Sequence, residues 1–160
     1  MNSERPFLPL WDFGWVDQTS ILLSGIESAA EVPEAYYRSP EFDNSFASPE
    51  PRSPGIHGPF RKTALTGTDF VPISLPEFRA KVAQIRRPIE ILEPASDEQW
   101  KPVESLVSDL CDRTIAIYML RFTEVDRNRF HDFGWIHRIF REFICVQNDL
   151  TITRVVFGYD

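Results

Sequence analysis

Apolar positions along the chain follow two periods, and these divide it into strand-like and helix-like stretches. Near the C-terminus, Arg138 to Val146 alternates as Arg-Ile-Phe-Arg-Glu-Phe-Ile-Cys-Val, and Leu150 to Phe157 alternates again. Between them, Gln147-Asn148-Asp149 offers turn chemistry, so the segment predicts an antiparallel hairpin. Ile136, Ile139, Phe140 and Phe143 also fit a helical period, which makes a helix over Trp135 to Phe143 the competing reading. Thr114 to Phe122 is rich in β-branched and aromatic residues and bounded by charges, as a central strand would be.

Two helices announce themselves by their first turns. In Ser74-Leu75-Pro76-Glu77, Ser74 can accept from the Glu77 amide while the Glu77 side chain reaches back, and Pro76 lies where its missing donor is harmless. Phe78, Val82 and Ile85 then make one apolar stripe to about Arg86; Arg86 and Arg87 suit the negative helix end, and Pro88 stops it. Ser96 to Gln99 repeats the capping pattern ahead of Val103, Leu106, Val107 and Leu110, predicting a helix from about Asp97 or Pro102 to Asp112. Glu27 to Tyr37 holds a short helix that Pro33 confines to a start at or after Val32. Short strands are read at Thr19 to Leu23 and at Ile89 to Leu92, the latter ended by Pro94. The fold class is therefore α+β: a mainly antiparallel sheet with a C-terminal hairpin, packed against two or three helices.

Between Ser39 and Pro59 the pattern lapses. Pro40, Pro49, Pro51, Pro54, Gly55, Gly58 and Pro59 alternate with serines, which predicts a long Pro/Ser-rich loop over about 39–59. Phe42, Phe46 and Phe60 are placed to pin it to the core, so it is not read as a linker, and residues 1–160 are taken as one domain. A chain of 160 residues buries roughly 70% of its unfolded surface, enough for a core without staples. With 42% hydrophobic residues, including 13 Phe and 4 Trp, it is expected to fold.

Composition narrows the setting. The longest apolar runs fall far short of the roughly 20 residues that span a bilayer, and no signal-peptide core follows Arg5, so a cytoplasmic, non-membrane protein is expected. Cys111 and Cys145 read as buried free thiols. The net charge of −7 is uneven: residues 1–60 hold nine acids against Arg5, Arg38 and Arg52, a net of −6. Such an excess repels nucleic acid and steers a basic protein partner inward.

Candidate chemistry is sparse. Neither a glycine-rich phosphate loop nor histidine pairs at zinc spacing occur, so no cofactor or metal is expected. His131, Asp132, His137 and Glu142 form the one sequence-local set suited to general acid/base work, with capping and surface roles as the alternative. Asp12-Phe13-Gly14-Trp15 recurs as Asp132-Phe133-Gly134-Trp135, which is either a paired turn or coincidence. For binding, the acidic N-terminal part offers Trp11, Asp12, Trp15, Asp17, Tyr36 and Tyr37: aromatic anchors rimmed by charge are what interfaces use. The protein would act as a monomer or homodimer.

The run Arg141-Glu142-Phe143-Ile144-Cys145-Val146, then Leu150-Thr151-Ile152-Thr153 and Phe157-Gly158-Tyr159-Asp160, resembles the closing hairpin of small bacterial proteins, some of which are suspected immunity proteins of toxin systems. The likeness covers about the last thirty residues. It implies a small intracellular protein that neutralises a basic toxin by binding it.

Overall fold

The hairpin predicted at the C-terminus is the centre of the sheet. In a computed structural model that describes residues 7–10, 14–46, 52–88, 93–121, 128–134 and 137–159, β1 (Phe7–Leu10), β2 (Gly14–Ile21), β5 (Phe70–Ile73), β6 (Thr114–Leu120), β7 (Ile139–Gln147) and β8 (Ile152–Tyr159) form one antiparallel sheet in the order β1-β2-β8-β7-β6-β5. The strands β3 (Ile56–His57) and β4 (Phe60–Arg61) pair separately. Hairpin register runs from Ile139 opposite Tyr159 to Val146 opposite Ile152, and Leu150 closes the turn with a positive φ of 63°. The helical reading of Trp135 to Phe143 fails from Ile139 onward; Trp135 and Ile136 lie outside the described residues.

Both faces of β7 and β8 are buried, which explains why their apolar pattern is nearly continuous rather than strictly alternating. One face, with Phe143, Cys145, Val155 and Phe157, packs on α2 (Leu75–Ile85) and α3 (Asp97–Arg113). Both capping boxes are present, Ser74 with Glu77 and Ser96 with Gln99, and the predicted stripes point inward. Of the two starts weighed for the second helix, Asp97 is the observed one. Pro102 thus lies inside α3 on its exposed side, where water can serve the carbonyl that its missing amide would have met.

The other face carries Phe140, Ile144, Val146, Ile152 and Val156, and the segment expected as a loop covers it. α1 (Val32–Arg38) leads into a 3-10 turn at Pro40–Phe42, then β3 and β4, and 3-10 turns at Lys62–Ala64 and Gly67–Asp69. Phe42, Phe46 and Phe60 are all buried, as the pinning expectation required. Each such ring contributes about 1.5–3 kcal/mol by leaving water, so proline-rich chain without regular structure can still form a layer. We refer to residues 40–46 and 52–69 as the cover.

Two strands of the six-stranded sheet were not read from sequence, and both are edges containing proline: Pro9 in β1 and Pro72 in β5. A missing amide is tolerable at an edge and blunts further pairing there. The strand read at Thr19 to Leu23 is instead β2, which begins earlier because it follows β8 from Gly14 opposite Tyr159. Ile89 to Leu92 lies outside the described residues. The recurring tetrapeptide has two different settings where it is described: Gly14 opens a strand, whereas Gly134 sits in a turn against the Pro59 carbonyl.

Candidate functional site

The cover-facing row of the hairpin is interrupted by two opposite charges, Glu142 on β7 and Arg154 on β8, one cross-strand step apart on the diagonal. Both are fully buried, and around them the cover and α1 contribute His57 and Tyr36, also fully buried. Glu142 accepts from the Tyr36 hydroxyl at 2.8 Å and meets His57 Nε2 at 2.5 Å. His57 Nδ1 faces the Phe42 carbonyl at 2.7 Å and so carries a proton, since a carbonyl can only accept. Arg154 donates to the Tyr36 hydroxyl at 3.3 Å and to the Glu41 carbonyl at 3.0 Å, lies 3.8 Å from Asp17 and stacks over Phe46 at 4.7 Å.

Charge balance makes this group tolerable in a core. Desolvation alone would lower the Arg154 guanidinium, but Tyr36, Glu142 and Asp17 outweigh it and hold it above its ordinary value. Burial pushes the Tyr36 phenol well above its usual range, so it stays a neutral donor to Glu142. The cluster therefore staples backbone: His57 holds the Phe42 carbonyl and Arg154 the Glu41 carbonyl. The same segment is tied at its rim by Lys62 to Asp43 at 3.0 Å, and Asn44 accepts from the Phe46 amide at 2.8 Å, holding Phe46 at a positive φ of 57°. With the cover seated, a solute cannot reach these groups.

The residues proposed for acid/base work do not assemble as expected. Glu142 serves His57 and Tyr36; His131 Nε2 contacts the Gly58 carbonyl at 3.0 Å and its Nδ1 accepts from the Phe133 amide. His137 meets the Ser45 carbonyl at 3.1 Å, and Asp132 is exposed in the turn. The histidines thus hold loop carbonyls, because a loop supplies acceptors that no strand satisfies. Among the described residues, no three His, Cys, Asp or Glu side chains are grouped to hold a metal ion.

The proposed binding aromatics also need correction. Trp15 is buried, stacked on Phe46 and lying over Gly158, its cross-strand partner, whose missing side chain leaves room for the indole. Tyr36 and Asp17 belong to the buried cluster, and Tyr37 is half-buried beside Phe42 and Lys62. None of these four stands as an exposed anchor. Trp11 and Asp12 lie outside the described residues.

What the acidic N-terminal part does build is a cleft of about 640 Å³ between the end of β2, α1 and the first turn of the cover. Leu22, Leu23, Ile26 and Ala35 supply apolar wall, and Glu31, Glu34 and Glu41 line it; Leu22 is 81% exposed. Arg38, the cation among the described lining residues, is paired with Glu34 at 2.7 Å. Glu41 owes its place to the staple, since Arg154 grips its carbonyl. Segment charge pointed to this region, but not to these residues.

Thiol chemistry is suppressed. Burial raises Cys145 to about 12, and burial also raises Cys111. At about pH 8, a disulfide-exchange reagent is expected to react slowly with Cys111 and to spare Cys145 until denaturant is added. Rapid reaction of both thiols in the native chain, followed by absorbance, would contradict this. In the described residues, no helix is long and apolar enough to cross a membrane. Comparison with protein-family models, curated proteins and solved structures yields no match.

Proposed function

We propose that this is a binding protein whose acidic cleft at Leu22, Glu31, Glu34 and Glu41 receives a basic protein partner, and that the partner is a toxin neutralised in the cytoplasm. The observation that carries the reading is the pairing of a nearly fully exposed leucine with three carboxylates around one concavity. An apolar residue in such a setting gives a partner side chain something to bury, while the carboxylates speed encounter and select for Lys and Arg. The net −6 of residues 1–60 extends the same field beyond the cleft. Inaccessibility of the buried cluster removes the main competing site, and the hairpin resemblance supports the immunity class.

The test compares the wild-type chain with Glu31→Gln/Glu34→Gln/Glu41→Gln, each as bait in source-cell lysate, with captured proteins identified and then purified. The expected result is a basic protein that binds the wild-type chain in purified form, dissociates as salt is raised to roughly 0.5 M, and binds the triple variant at least tenfold more weakly. Neutral or acidic captures, or equal binding by both baits, would overturn the proposal.

A further inference from the structure

We draw no further inference here: the strongest candidate, the fully buried side-chain cluster of Glu142, His57, Tyr36 and Arg154 between the central hairpin and the cover, belongs to the site already described, where it holds the Phe42 and Glu41 carbonyls of the cover.

Discussion

Replacing Glu142 with leucine is expected to destabilise the chain by about 3–5 kcal/mol, because it leaves the paired partner of a buried charge uncompensated. His57 would lose the acceptor at 2.5 Å and Tyr36 the acceptor at 2.8 Å, both in a site without water access. Glu142→Gln keeps the shape and one acceptor oxygen and should cost distinctly less. Urea denaturation of the three proteins checks the order. Since His57 and Arg154 hold the Phe42 and Glu41 carbonyls, the leucine variant should also loosen the acidic cleft. A leucine variant as stable as the wild type would mean that the cluster is not a staple.

The neighbouring position tests the opposite layer. Phe143→Ala is expected to cost about 3–5 kcal/mol as a large-to-small change in a fully packed site. The Phe143 ring is unexposed and meets Phe78 edge-on at 5.0 Å and Phe157 at 6.2 Å, so its removal opens a cavity between α2 and the sheet. Successive side chains of a strand point to opposite faces, so the two substitutions should soften different layers: amide exchange should rise in α2 and α3 for Phe143→Ala and in the cover for Glu142→Leu. If both variants accelerated exchange equally throughout, the layered description would fail.

These two residues also show what the sequence could convey. Phe143 was legible as core, and the hairpin, both capping boxes, the stripe at Phe78, Val82 and Ile85, and the central strand at Thr114 were all readable, because local patterns encode local elements. Glu142 was noticed for its chemistry and assigned the wrong company. Its partners His57 and Tyr36 lie 85 and 106 positions away, a separation no local rule spans. The signal available was the pair of opposite charges, Glu142 and Arg154, set into otherwise apolar rows of a predicted hairpin; it calls for a third layer above that face. Without that layer Trp15 and Tyr36 read as exposed anchors, and the proline-rich segment reads as a loop rather than a lid on half the core. The acidic cleft was visible only as a segmental charge excess, since Leu22, Glu31 and Glu41 are brought together by the cover's path.

The claim on which the rest depends is that residues 40–46 and 52–69 form a seated layer, stapled to the sheet through His57, Glu142, Tyr36 and Arg154. Amide hydrogen exchange of the native chain, resolved to peptides, tests it most directly. The amides of Asn44, Ile56 and Gly58, which donate within the cover, are expected to exchange far more slowly than unstructured chain, in step with β7 and β8. Exchange of those amides at the unprotected rate while β7 and β8 stay protected would contradict the staple, and with it the geometry of the acidic cleft.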